Sequence, residues 1–190
     1  MTKEERKAGP GEAPRVRTVI HPGAPAAERW TSWETGSADQ FRLWIAPGVT
    51  LLAGLAASVV GHGFDHACIQ LFDGVLAEAW VHTPEPDPQG KLVATYGPAA
   101  RLEGGAYLVS GNATLGRSAE GKPVLHCHAV AVDGRGRLYG GHLPAERCIV
   151  GEGGVRGWGI VSKDGGFVQR FDPETLFTIM FPTGRKEDVR

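Results

Sequence analysis

The stretch Pro123–Leu143 constrains the fold more than any other part of the chain. It reads Pro-Val-Leu-His-Cys-His-Ala-Val-Ala-Val-Asp-Gly-Arg-Gly-Arg-Leu-Tyr-Gly-Gly-His-Leu. A run rich in Val, Leu and Ala breaks at Asp133-Gly134-Arg135-Gly136 and then resumes. Such a pattern predicts two antiparallel strands joined by a tight turn. Side chains two apart on a strand share a face. His126 and His128 therefore project together with Val124, Val130 and Val132, while Cys127 points the other way. The chain has 7 histidines, and His142 on the returning strand makes three of them within this one hairpin.

Whether the three imidazoles can meet is a question of parity. Directly opposed residues of an antiparallel pair share a face. A two-residue turn at Gly134-Arg135 would set His142 opposite Cys127, on the wrong face. A three-residue loop, Gly134-Arg135-Gly136, sets it opposite His128, and a bulge at Gly140-Gly141 would make the same correction. With that odd register, His126, His128 and His142 suit a zinc-type metal with one coordination position left open. In the other register they are structural histidines. Glu78, His62, His66 and His82 are candidates for a fourth ligand or an acid/base partner. Gly61 and Gly63 interrupt any helix that would pair His62 with His66.

The rest of the chain predicts more strand than helix. Residues 1–39 read as an N-terminal arm, charged and disordered at first. It includes a short strand at Val16–Ile20 and two tryptophans, Trp30 and Trp33, expected to pack on something. A domain over residues 40–182 follows, then a charged tail over 183–190. Within the domain, strands are expected at Gln40–Ile45, His66–Leu71, Val75–Val81, Lys91–Tyr96 and Ala106–Leu115. Further extended segments are expected at Arg147–Val150, Val155–Ile160, Phe167–Arg170 and Leu176–Phe181. Asp73-Gly74, Ser118–Lys122 and Asp172–Thr175 read as turns, and residues 83–90 as an exposed loop. Thr50 caps a helix over Leu51–Val60, with Leu51, Leu52, Leu55 and Val59 on one stripe. The fold class is α+β, a mixed and largely antiparallel sheet with flanking helices.

Composition narrows the function. A net charge of −1 with no basic stripe argues against a dedicated nucleic-acid binder. No phosphate-binding Gly-x-x-x-x-Gly-Lys-Ser/Thr loop and no Gly-x-Ser-x-Gly nucleophile motif occur. An odd count of 3 cysteines is no disulfide framework, so a reducing, cytoplasmic setting is expected and Cys127 reads as a small buried hydrophobe. No secretory leader is read at the start of the chain. The apolar stretch Val49–Val60 is too short to span a bilayer.

The histidine hairpin, Gly121 through Leu143, resembles the signature of the plants and prokaryotes conserved domain, also known as domain of unknown function 296. Leu43-Trp-Ile-Ala-Pro-Gly48, His66-Ala-Cys-Ile-Gln-Leu-Phe-Asp-Gly-Val-Leu76, Leu108-Val-Ser-Gly-Asn-Ala-Thr-Leu115 and Asp172-Pro-Glu-Thr175 resemble its other motifs, in order. The likeness covers about residues 40–182, and the chain departs from short prokaryotic members by its long N-terminal arm. It implies a sandwich-like domain that commonly assembles as a homotrimer, and a fold similar to acetolactate decarboxylase and to a zinc-dependent ester hydrolase family. Both of those hold zinc with three histidines. The resemblance thus implies zinc or another divalent metal at His126, His128 and His142, and a metal-dependent lyase or hydrolase acting on a small-molecule ligand. Plant members bind A·T-rich DNA through hooks with an Arg-Gly-Arg-Pro core. Here Arg135-Gly136-Arg137 is followed by Leu138, so that activity does not carry over residue by residue. A DNA-binding regulator, or a structural trimer with a stabilising metal, stand as the alternatives.

Overall fold

The computed structural model describes residues 20–27 and 35–184. In chain order the elements are β1 (Ala38–Ile45), α1 (Leu51–Gly61), β2 (Ala67–Glu78), β3 (Trp80–Val81), β4 (Pro84–Glu85), β5 (Thr95–Tyr96), β6 (Ala100–Arg101), β7 (Ala106–Arg117), β8 (Pro123–Asp133), β9 (Leu138–His142), β10 (Ile149–Ser162), β11 (Gly165–Asp172) and β12 (Phe177–Gly184). One 8-stranded sheet dominates, with β1, β10, β2, β7, β8 and β9 side by side. All these neighbours pair antiparallel. The β11–β12 hairpin joins at the far end of β7 through one parallel bridge, Val168 to Arg117, which makes the sheet mixed. Two short ribbons, β3–β6 and β4–β5, stand beside it.

The core lies on one face of this sheet, under α1. Leu51, Leu55 and Val59 are buried at intervals of four, one stripe of the helix. They meet Leu43, Ile45, Ile69, Leu71, Leu108, Leu115 and Cys127 from the strands. The first backbone N–H groups of a helix lack partners within it. Here Leu51 and Leu52 donate to the carbonyls of Cys148 and Ala145, and Ala53 donates to the Thr50 hydroxyl at 3.1 Å. The helix start is thereby tied to the segment that follows His142.

The opposite face of the sheet is open. Trp44, Phe72, Tyr107, Val130 and Trp158 all lie on it, with Trp44 57% and Trp158 40% accessible. Among the described residues α1 is the one helix, where flanking helices in the plural were expected, and no helix is long and apolar enough to cross a membrane.

Three local expectations fail for identifiable reasons. Asp73-Gly74 is no hairpin turn: β2 runs straight through it. A Cβ on Gly74 would sit 2.6 Å from Val155 Cγ2, so the glycine serves close strand approach, with a register shift opposite Arg156 and Gly157. Arg147–Val150 and Val155–Ile160 merge into β10, whose Gly153 and Gly154 take positive φ at a bulge. Of Lys91–Tyr96, Thr95–Tyr96 is strand and pairs with Pro84–Glu85 inside the expected loop. The strand at Val16–Ile20 lies outside the described residues except for exposed Ile20, as do Trp30 and Trp33. Of the arm, Gly23 and Ala26 donate to Glu174, onto the 172–175 turn.

Gly54 offers a test of helix–sheet packing. An exposed Gly→Ala change inside a helix stabilises by about 1 kcal/mol. Here the new Cβ would lie 2.1 Å from Ile45 Cγ2, so overpacking should reverse the sign. Gly54→Ala is expected to destabilise by about 1–3 kcal/mol in urea unfolding; a stabilised variant would refute this account.

Candidate metal centre

His128 lies opposite His142, with Ala129 opposite Gly141 and Val132 opposite Leu138. This is the odd register that the parity argument requires. The turn that sets it is the three-residue loop Gly134-Arg135-Gly136, closed by Asp133 N–H donating to the Arg137 carbonyl at 3.0 Å. Gly136 carries φ +80°, the left-handed position that completes such a loop, and a residue with a Cβ there would be strained. No bulge at Gly140-Gly141 is needed. Gly141 has another reason: a Cβ would lie 2.4 Å from the His82 carbonyl.

Asp133 holds the loop in that form. Its carboxylate is buried and accepts from the backbone N–H of Arg135 and Arg137, each at 2.9 Å, and from Arg137 Nε at 2.8 Å. Burial alone would raise its pKa. The Arg137 and Arg135 N–H groups and the Arg137 charge outweigh that and hold it at about 2. Arg135 and Arg137 also pair with Glu103.

Leu143 N–H donates to the Cys127 carbonyl, so His128 and His142 form the non-hydrogen-bonded pair between such rungs, where opposed side chains come closest. On its other side His142 exchanges both backbone hydrogen bonds with His82, at 2.8 and 3.0 Å. Ring centroids of His126 lie 4.8 Å from His128 and 5.1 Å from His142, and those of His128 and His142 are 5.5 Å apart. One nitrogen from each ring falls within 4.8 Å of the others. Small side-chain rotations bring such a set to the spacing that metal–nitrogen bonds of about 2.0–2.1 Å require.

The chemistry of the donors fits a cation. Burial, then the neighbouring His126, His128 and His82, push the pKa of His142 down from 6.5 to about 4. Burial, then His128, lower that of His126. Both rings are therefore neutral at pH 7, with lone pairs available. His142 Nδ1 is buried with no hydrogen-bond partner, an orphaned acceptor or donor that a folded protein rarely leaves. Cys127 takes no part. It is fully buried on the core face, and burial, then Cys148, push its thiol up to about 12.

The three histidines line a cleft of about 740 Å³. Its walls are the β11–β12 hairpin, with Phe177, Ile179 and Met180, and the β4–β5 ribbon, with Tyr96. Tyr96 packs on His142 with centroids 5.1 Å apart. The pattern of the hairpin was legible as strands, but nothing in it marks Gln169, Phe177 or Met180 as cleft residues, because tertiary folding brings them there.

Of the four further candidates, His82 alone reaches this cleft, its ring 6.1 Å from that of His142. Its Nδ1 lies 2.8 Å from the Gly97 carbonyl. Glu78 is engaged by Trp80 Nε1 and Arg101. His62 stacks on Phe41. His66 lies between Asp65 and the Ser162 carbonyl, in a larger cleft of about 1110 Å³ that holds none of the three hairpin histidines. None of these three is placed to be a fourth ligand.

Residues 34–153 match the profile of the Plants and Prokaryotes Conserved (PCC) domain, and the chain belongs to that family. No curated protein matches the sequence. Solved structures share the fold. The metal-containing protein of Archaeoglobus fulgidus is 19% identical, with a TM-score of 0.59, covering 81% of this chain and 99% of its own. A plant- and prokaryote-conserved protein of Pyrococcus horikoshii is 20% identical, with a TM-score of 0.57, covering 80% and 96%. A "Putative DNA-binding protein" of Ralstonia eutropha JMP134 is 18% identical, with a TM-score of 0.57, covering 74% and 89%.

The depressed pKa of His142 makes a stability prediction for the chain kept free of metal by a chelator. Its folded-state value, about 4, lies below the unfolded 6.5, so the native state binds fewer protons between those values. Stability should hold above pH 6.5 and fall as the pH drops toward 4. The matching Asp133 effect begins lower, between 3.8 and about 2. Thermal melts of His142→Phe should lose part of the upper step and keep the lower one. An unchanged upper step would refute the assignment.

Proposed function

We propose that this member of the Plants and Prokaryotes Conserved domain family is a metal-binding protein whose His126, His128 and His142 hold one divalent ion of the zinc type. The observation that carries the reading is the odd register of the β8–β9 hairpin. It brings three imidazoles to one side of the sheet. The orphaned, buried Nδ1 of half-buried His142 supports it, since coordination or a hydrogen bond to a ligand would satisfy that atom.

We further infer a metal-dependent lyase or hydrolase acting on a small molecule. A zinc-type ion supplies Lewis acidity at such a site, polarising a carbonyl or activating water. The chain's own residues do the rest. The β11–β12 hairpin and the β4–β5 ribbon wall the cleft. His82 faces it with Nδ1–H donated to the Gly97 carbonyl, which leaves Nε2 as the nitrogen able to take or give a proton to a bound molecule. Purified protein is expected to carry about one equivalent of metal per chain by plasma mass spectrometry. His128→Ala should fall well below that, and equal metal content in both proteins would end the reading.

The DNA-binding alternative comes from what structural neighbours are named. Against it, Arg135 and Arg137 at the hairpin tip are neutralised by Asp133 and Glu103, and the net charge is −1. Binding through phosphates would be salt-sensitive. A·T-rich duplex is expected to show no gel shift even at low salt.

Assembly through the open sheet face is the remaining part of the proposal. Large apolar patches on a protein surface mark contact sites. Trp44, Phe72, Tyr107, Val130 and Trp158 form such a face on adjacent strands. A homotrimer is the expected state, whether its metal is catalytic or only stabilising. Light scattering should report a trimer for the native chain and smaller species for Trp158→Glu; a monomeric native chain would refute assembly.

A further inference from the structure

The character of the metal cleft names a ligand class. Among the described residues, no Asp, Glu, Lys or Arg lines it. Imidazole is an uncharged ligand, so three of them leave the full double charge of a divalent ion uncompensated, and an unpaired charge in a half-enclosed site is costly. The described residues supply no anion there, and an anionic ligand would supply it. The same lining offers no guanidinium or ammonium group, which a phosphate or polyanion would need along its other oxygens. Beyond the histidines, Val124, Leu125, Phe177, Ile179 and Met180 form an apolar wall, interspersed only with uncharged polar groups such as Thr95, Thr114, Gln169 and Thr178, which favours an alkyl or otherwise apolar body. The larger cleft differs on each point: Asp65, Arg117, Lys163 and Asp164 line it.

We infer that the cleft selects small monocarboxylates with an apolar tail, the carboxylate directed at His126, His128 and His142 and the tail laid against the β11–β12 hairpin. This rests on the metal reading proposed above. The volume of about 740 Å³ lies within the range of small-molecule sites and leaves room for a tail of several carbons. Burial of each added methylene is worth up to about fourfold in affinity.

Metal-stripped full-length protein reloaded with cobalt(II) tests this through its visible absorption, without any assay of activity. Acetate, butyrate and hexanoate are titrated in turn, then inorganic phosphate and adenosine monophosphate. Affinity is expected to rise by about tenfold or more from acetate to hexanoate, with phosphate and the nucleotide weaker than hexanoate. Cobalt uptake with no dependence on chain length, or tighter binding of phosphate or the nucleotide, would overturn the inference while leaving the metal reading intact. Failure to take up cobalt would overturn both. Ile179→Asp, at a partly exposed position of the hairpin, should keep the cobalt stoichiometry and flatten the series; a series as steep as that of the native chain would overturn the role given to the hairpin wall.

Discussion

The structure depends most on the buried carboxylate of Asp133. It accepts three N–H groups within a single turn and so dictates how many residues the turn contains. One residue fewer would rotate β9 by one position against β8. His142 would then share a face with Cys127, turned toward the core instead of toward His126 and His128. Because strand faces alternate, an error of one residue is an inversion rather than a small shift. The left-handed Gly136 and the N–H clasp together make that error unfavourable. The Arg135–Glu103 and Arg137–Glu103 pairs are at the surface and add little by themselves. Their effect is to fix the arginines over the turn, which leaves them poorly placed to act as a free basic patch.

The two faces of the sheet divide the work. One face packs Leu, Ile, Val, Ala and Cys side chains against α1 and makes a rigid platform. The other carries the histidines near the β9 edge and aromatic residues toward β1. The link between the two is direct. The chain leaves His142, enters the buried segment through Leu143, Ala145 and Cys148, and there caps the start of the helix. Core packing therefore fixes the strand end on which His142 sits, and the histidine's position is inherited from apolar burial rather than from contacts among the imidazoles.

Much of this was legible in the sequence, and for local reasons. The helix follows from Thr50 and the Leu51, Leu55, Val59 stripe, and the closing hairpin from Asp172–Thr175. Counting residues against glycine positions left two histidine registers open, and the structure takes the odd one. Asp73-Gly74 misled because the same dipeptide serves a hairpin turn and a close strand crossing, and only the approach of Val155 distinguishes them. The apolar cleft wall was illegible for a different cause. Phe177, Ile179 and Met180 look like any strand, and their place in the cleft depends on a parallel bridge between β11 and β7 that no local pattern encodes. Glu78, His62 and His66 were reasonable candidates by type, but each is held by partners elsewhere in the fold.

The arrangement around His142 is hard to explain as scaffold alone. Its ring is buried enough to resist protonation down to about pH 4, and one of its nitrogens has no partner. An apolar residue of similar size would satisfy the same space without either cost. His82 adds to the argument: the backbone of His142 is clamped to it by two hydrogen bonds that Gly141 alone permits, so a fourth imidazole is carried to the cleft by main-chain geometry. A scaffold would gain nothing from placing these bases together, since acid then destabilises the fold through His126 and His142, whose protonated forms are disfavoured by burial and by neighbouring imidazoles. A site that must present lone pairs to a cation gains directly, because lowered pKa values remove proton competition at neutral pH. In the proposed metal centre, the destabilisation by acid and the readiness of the lone pairs for a cation are two consequences of the same desolvation.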